Sequence, residues 1–179
     1  MERILVPTDG SGPADKAIDL ACDLATRHNA RVCLLHVLLR DKEPEDLRRL
    51  AAVTELDAEM QDALACAEAT APSPAVPAAV FAMDPKAVEH PVPEEVLRAL
   101  GGKVLEAAGR VVKAKGIDSV TQALEDGDAA QCIVEAAARE RADTIVMGHR
   151  GLGDIEGITL GSVSNKVSHL ADCTVIMIR

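Results

Sequence analysis

Arg3-Ile4-Leu5-Val6-Pro7-Thr8 runs directly into Asp9-Gly10-Ser11-Gly12-Pro13, and the reading of that junction decides the fold. A compact apolar run halted by turn residues predicts a short buried strand over 3–8. Pro13 suits the opening of a helix, where its missing N–H would have had no partner anyway. Ala14, Ala17, Ile18, Ala21, Leu24 and Ala25 then recur at helical spacing until Asn29. Residues 31–38, Arg-Val-Cys-Leu-Leu-His-Val-Leu, form a second continuous apolar run, as strands do when both sheet faces are covered. The chain therefore opens as strand, helix, parallel strand.

The last third repeats the alternation. It reads as a strand near 119–124, a helix carrying Ile133, Val134, Ala137 and Ala138, a strand over 144–147, a glycine-rich loop, a helix over 162–170 and a strand over 174–178. Asp128 with Gln131 three residues on is a capping-box pattern. Asp126 and Asp128 flank Gly127 and read as turn and N-cap rather than metal ligands. Alternating strands and helices predict an α/β domain with a parallel sheet and helices on both faces. The 179 residues suit one domain, 1–179, with an extended acidic, proline-rich insertion at about 41–93. Thirteen acidic and five basic residues between positions 41 and 100 carry most of the net charge of -10. Leu47, Leu50, Ala51, Met60, Leu64 and Ala67 suggest helix. Pro72, Pro74, Pro77, Pro85, Pro91 and Pro93 mark 71–93 as a long loop. A helix over about 94–115 follows, with Leu97, Leu100, Val104, Ala108, Val111 and Val112 on one side and Gly101 and Gly102 weakening it.

Composition narrows the function classes. The chain is 48% apolar, with 30 alanines and Phe81 as its one aromatic residue. Nucleic-acid binding by stacking needs aromatic platforms and a positive groove, so no nucleic-acid partner is expected. No run approaches the roughly 20 apolar residues of a membrane span, and the first residues lack a basic-then-apolar leader. No membrane partner and a cytoplasmic location are expected. Cys22, Cys33, Cys66, Cys132 and Cys173 lie scattered without zinc spacing and read as small apolar residues on helix and strand faces. His28, His36, His90 and His169 have no partner at catalytic or metal spacing, so structural or solvent roles are expected and no protein metal site is predicted.

The chemistry concentrates in Met147-Gly148-His149-Arg150-Gly151 and, nine residues beyond Gly151, Gly161-Ser162-Val163-Ser164. Glycines admit a ligand close to backbone amides, and a helix N-terminus adds free N–H donors and the positive end of a dipole. A phosphate chain is the natural occupant. Ser162 and Ser164 offer hydroxyl donors, and Arg150 a permanent cation. Neither a lysine-bearing Walker loop nor a G-x-G-x-x-G fingerprint occurs.

In this spacing the loop resembles the nucleotide-binding signature of the universal stress protein family, G-x2-G-x9-G-[ST], matched at Gly148, Gly151, Gly161 and Ser162. The opening Ile4-Leu5-Val6-Pro7-Thr8-Asp9-Gly10-Ser11, Leu34-Leu35-His36-Val37, Gly127-Asp128 and the terminal run from Cys173 to Arg179 are similar to that family as well. The resemblance covers the chain except about 41–93, which is longer than the family's usual connection. It implies an open, doubly wound, Rossmann-like parallel sheet of five strands in the order 3-2-1-4-5, with a nucleotide at the switch point between strands 1 and 4. Carried over to this sequence, it implies that Pro7, Thr8, Asp9 and Val37 surround adenine and ribose. Met147, Gly148, Arg150 and Gly151 continue the cradle, and Gly161, Ser162, Val163 and Ser164 hold the phosphates. Asp9 suits a ribose hydroxyl, and the same side chain suits a turn and helix start. The ligand implied is ATP, or ADP or AMP, with a Mg or Mn ion carried on the phosphates without a protein cage. His149 falls at a free position of the pattern and reads as an exposed loop residue.

The function expected is an ATP-binding, nucleotide-dependent stress-response or regulatory protein. Two alternatives stand beside it: a slow ATP hydrolase on the same fold, and an interaction module that holds no nucleotide. No base or water-orienting residue stands out near Gly161 to Ser164, which favours binding, with at most weak hydrolysis. Adenylating enzymes with an S-G-G-x-[DS]-S loop are a poor match to Asp9-Gly10-Ser11-Gly12-Pro13. The acidic insertion reads as a lid over the nucleotide or a docking surface for an unknown protein partner. The last strand would lie at a sheet edge, which invites pairing, and in the resembled family two copies join through it. A homodimer of 18.8 kDa subunits is therefore expected by sedimentation at micromolar concentration, and a monomer there would contradict that pairing.

Overall fold

The computed structural model describes residues 1–40, 47, 50, 62, 92–152 and 160–179. In chain order they form β1 (Arg3–Pro7), α1 (Gly12–His28), β2 (Arg31–Val37), α2 (Glu94–Ala114), β3 (Val120–Glu125), α3 (Ala129–Glu140), β4 (Thr144–Gly148), α4 (Ser162–Leu170) and β5 (Thr174–Ile178). The strands make one sheet of order β3-β2-β1-β4-β5, parallel throughout. This is the expected α/β architecture, with β5 at an edge. Leu47 and Leu50 are helical and buried. The helical expectation for Ala51, Met60, Leu64 and Ala67 and nearly all of the long loop, with Phe81, Cys66 and His90, lie outside the described residues.

Strand side chains alternate between two helical layers. Ile4, Val6, Val32, Leu34 and Val146 face one apolar cluster with α1 residues Ala17, Ile18, Ala21 and Ala25 and α2 residues Leu105, Ala108 and Val112. Leu5, Leu35, Val37, Ile145 and Met147 face the other, with Ala130, Ile133, Ala136 and Ala137 of α3 and Val167 of α4. Both faces of the central strands are thus covered, which is why those strands read as unbroken apolar runs. The alanines of α1 and α3 let the helices sit close on the sheet. Cys22 is buried and Cys33, Cys132 and Cys173 are half-buried, all free. Burial pushes their thiols up from the usual value, so they stay neutral and act as small apolar groups.

Local signals explain the ends. Ser11 caps α1 by accepting from the Ala14 N–H, and Asn29 closes it in the left-handed region at φ 53°. Asp128 caps α3 by accepting from the Gln131 N–H at 3.0 Å. The capping box is only half formed, because the Gln131 amide donates to Glu135 instead. On α3, Ala130 and Ala136 rather than Ala138 complete the buried stripe. Val111 of α2 is 42% exposed and does not belong to the buried face, since Val112 already points inward at that turn.

A third apolar cluster joins Leu38 and Leu39, just past β2, to Leu47, Leu50, Val92 and the first turns of α2, with Leu152 packed against it. The two adjacent glycines of α2 differ sharply here. A Cβ on Gly101 would lie 2.6 Å from His36 Cδ2 and 2.7 Å from Leu124 Cδ1, whereas one on Gly102 meets nothing within 4 Å. Gly101 thus buys close approach of helix to sheet, and Gly102 only weakens the helix. Gly101→Ala is expected to lower stability by about 1–3 kcal/mol through overpacking. Gly102→Ala should raise it by about 0.5–1 kcal/mol. Urea denaturation of both variants checks the contrast, and equal effects would contradict it.

Candidate functional site

The C-terminal ends of β1, β2 and β4 open on one cavity of about 270 Å³. That is close to the scale of small-ligand sites, roughly 300–1,000 Å³. All twelve residues singled out from the sequence line it: Pro7, Thr8, Asp9, Val37, Met147, Gly148, Arg150, Gly151, Gly161, Ser162, Val163 and Ser164. The crossovers explain the convergence. From β1 the chain leaves to one side of the sheet and from β4 to the other, so a crevice opens between them.

The loop after β1 is tied to the loop after β4 by one carboxylate. Asp9 Oδ1 accepts from the Ser11 N–H at 3.0 Å, and Oδ2 from the Leu152 N–H at 2.8 Å. The turn reading of Asp9 is thus realised in the structure, and a bond across the cavity is added. Gly10 follows at φ +79°, a conformation that favours glycine. A Cβ on Gly151 would collide with the Asp9 carboxylate, and one on Gly148 would stand 2.8 Å from the Arg150 carbonyl and 2.9 Å from Pro13. Both glycines are therefore required by the loop's own packing, a role the ligand-approach reading did not assign them.

His149 corrects its expectation. It is half-buried, its N–H and its ring Nδ1 both reach the Ile178 carbonyl at 2.7 and 2.9 Å, and its own carbonyl accepts from the Gly161 N–H at 2.8 Å. The residue at the free position of the pattern thus staples both ends of the glycine-rich loop to β5. Ser164 corrects another. Buried, its hydroxyl donates to the His149 carbonyl at 2.7 Å and contacts the Gly161 carbonyl at 3.0 Å, so its proton is committed within the loop. What α4 presents to the cavity is the N–H groups of Ser162, Val163 and Ser164, the first-turn donors without a helical acceptor, and the exposed Ser162 hydroxyl.

Further lining residues escaped the sequence reading as site residues. Leu38, Leu39 and Arg40 come from beyond β2; Gly127 to Ala130 and Ile133 come from the start of α3; Lys166 comes from α4. Gly127 and Asp128 were visible as a turn, and their approach to the cavity follows only from the strand order. Two helix N-termini, of α3 and α4, thus face one space, each carrying roughly half a positive charge. Arg40 is held by Asp126, bidentate at 2.7 and 2.8 Å, and by Glu94 at 2.9 Å. The guanidinium holds the Asp126 carboxyl below its usual range. Asp126, the first acid of the turn, is therefore an ion-pair partner. The Nε atom of Arg150 is buried with no hydrogen-bond partner among the described residues, a polar group suited to an incoming acceptor.

A sequence model of the universal stress protein family matches residues 1–179. The chain belongs to the universal stress protein family. Its relatives include universal stress protein YxiE of Bacillus subtilis, 29% identical over 177 residues that cover 99% of this chain and 98% of that one. Among solved structures it is similar to universal stress protein UspA from Lactobacillus plantarum, with a TM-score of 0.65 at 21% identity over 99% of this chain and 97% of that one. It is similar also to the universal stress protein from Archaeoglobus fulgidus in complex with dAMP, with a TM-score of 0.60 at 17% identity over 100% and 98%.

In this universal stress protein the strand-2 histidine has a structural task at the cavity. His36 is buried, and its Nδ1–H donates to the Thr8 carbonyl at 2.8 Å, holding the backbone that leads into Asp9. Burial pushes the imidazole below its ordinary range, against the opposing pull of the Thr8 bond and of nearby Asp9. Below about pH 6.5 the unfolded chain takes up a proton that the folded state still refuses, so stability falls as pH drops through that value. Urea denaturation between about pH 7.5 and 5.5 should show this loss in the wild type and a smaller one in His36→Asn, which keeps an N–H for Thr8. Parallel profiles would contradict the assignment.

Proposed function

We propose that the cavity binds an adenine nucleotide and that the protein acts as a nucleotide-dependent stress-response or regulatory protein. The observation that carries this reading is the buried Arg150 Nε, unpaired among the described residues, in a cavity lined also by the first turn of α4 with its free amides. A cation and backbone N–H donors line one cavity of a chain whose net charge is -10, a local arrangement suited to an anion. Val37, Leu38, Ala130, Ile133 and Met147 supply apolar walls suited to a base. Asp9 already accepts two N–H bonds, but a carboxylate has about four lone-pair sites and keeps room for a ribose hydroxyl. The dAMP complex of the related fold supports the same class of ligand.

On this reading ATP, ADP or AMP lies with its base between the ends of β1 and β2 and its phosphates on α4. A Mg or Mn ion, when present, would be carried on the phosphates and supply charge neutralisation there. The homodimer through β5 belongs to the same proposal. Its basis is the position of β5 at the sheet edge and the half-buried Val175, Ile176, Met177 and Ile178.

The test is to purify the protein without added nucleotide, denature it and identify what is released by chromatography, then titrate ATP with Mg into emptied protein by calorimetry. Released adenine nucleotide, or binding near one per chain, is the expected outcome. No nucleotide and no heat would overturn the reading in favour of an interaction module.

A further inference from the structure

Lys166 and Asp128 line the same cavity and stand outside the nucleotide signature. Lys166 Nζ lies 3.2 Å from Asp128 Oδ2, with both side chains more than half exposed. Asp128 Oδ1 is occupied in capping α3. An exposed pair at this distance is weak and readily exchanged. The position of Lys166 gives it somewhere else to go. It stands four residues after Ser162 on α4, hence on the same helical face, and side chains of a helix lean toward its N-terminus. Its side chain thus lines the cavity from the same helical face as Ser162, within reach of the turn whose free amides face that space. Of the other two cations lining the cavity among the described residues, Arg40 is clamped by two carboxylates, and Arg150 lies in the loop after β4 that the nucleotide reading already uses.

We propose that Lys166 reads the phosphates beyond the first: with ADP or ATP in the cavity, its ammonium leaves Asp128 and pairs with the terminal phosphate. The assignment rests on the nucleotide reading above and deepens it by naming how chain length is sensed. In the empty state Lys166 screens the Asp128 carboxylate, which otherwise faces the incoming anion. Removing the ammonium therefore costs an attraction and exposes a repulsion, and both grow with the charge of the ligand. AMP, whose single phosphate is satisfied at the start of α4, is little affected.

The experiment is calorimetric titration of AMP and ATP, and of inorganic tripolyphosphate as a base-free probe, into wild type, Lys166→Gln and Asp128→Asn. Asn retains the helix cap, so the second variant keeps α3 intact. Lys166→Gln is expected to weaken ATP and tripolyphosphate about tenfold or more and AMP less than about twofold, the scale of one charge-assisted bond. Asp128→Asn is expected to strengthen ATP relative to AMP. An unchanged ATP-to-AMP affinity ratio in Lys166→Gln, with both nucleotides still binding, overturns this assignment and leaves the nucleotide site standing. Silence of the wild type toward both nucleotides overturns the nucleotide reading and this assignment with it.

Discussion

The two hydrogen bonds of the Asp9 carboxylate hold the site together. One oxygen fixes the turn that starts α1, and the other reaches the Leu152 amide in the loop after β4. Those loops leave adjacent strands toward opposite faces of the sheet, and nothing in a doubly wound fold joins them directly. The Asp9–Leu152 bond ties them across the crevice. Gly151 is glycine because any side chain there would strike that carboxylate, and Leu152, drawn in by it, packs on the third apolar cluster with Leu50 and Leu100. That cluster includes residues of the acidic insertion, so the insertion's anchored leucines and the mouth of the cavity share one packed unit.

A second constraint closes the other side. The backbone and ring of His149 are both bonded to Ile178, and its carbonyl receives Gly161 and Ser164. The start of α4 is therefore set by β5 through His149, and its free amides point at the cavity from a fixed place. The amides proposed to hold the ligand and the edge strand proposed to pair are thus joined through one residue, His149.

Much of this was legible in the sequence because parallel strands and glycine-bounded turns leave strong local marks. The strand runs at 3–8 and 31–38, the cap at Asp128 and the helix start at Ser162 were each readable within a short window. Partnerships between distant segments were not. Gly101 reads as a helix weakness, and only the sheet shows His36 and Leu124 against it. His149 occupies a free position in the pattern, since its tie to Ile178 depends chiefly on backbone. The same is true of Arg40 and Lys166, which look like ordinary surface cations until strand order brings the β2, α3 and α4 ends together. The serine hydroxyls show the converse limit: Ser164 has the right chemistry for a phosphate, and the fold spends its proton on the loop.

The central claim is that one ligand bridges the loop after β1 and the first turn of α4. Hydrogen exchange of the backbone amides with and without ATP and Mg tests it directly. Slowed exchange at both Asp9–Gly10 and Ser162–Ser164 on adding ATP is the expected result. Binding that leaves those two segments exchanging as they do in the free protein would contradict the claim.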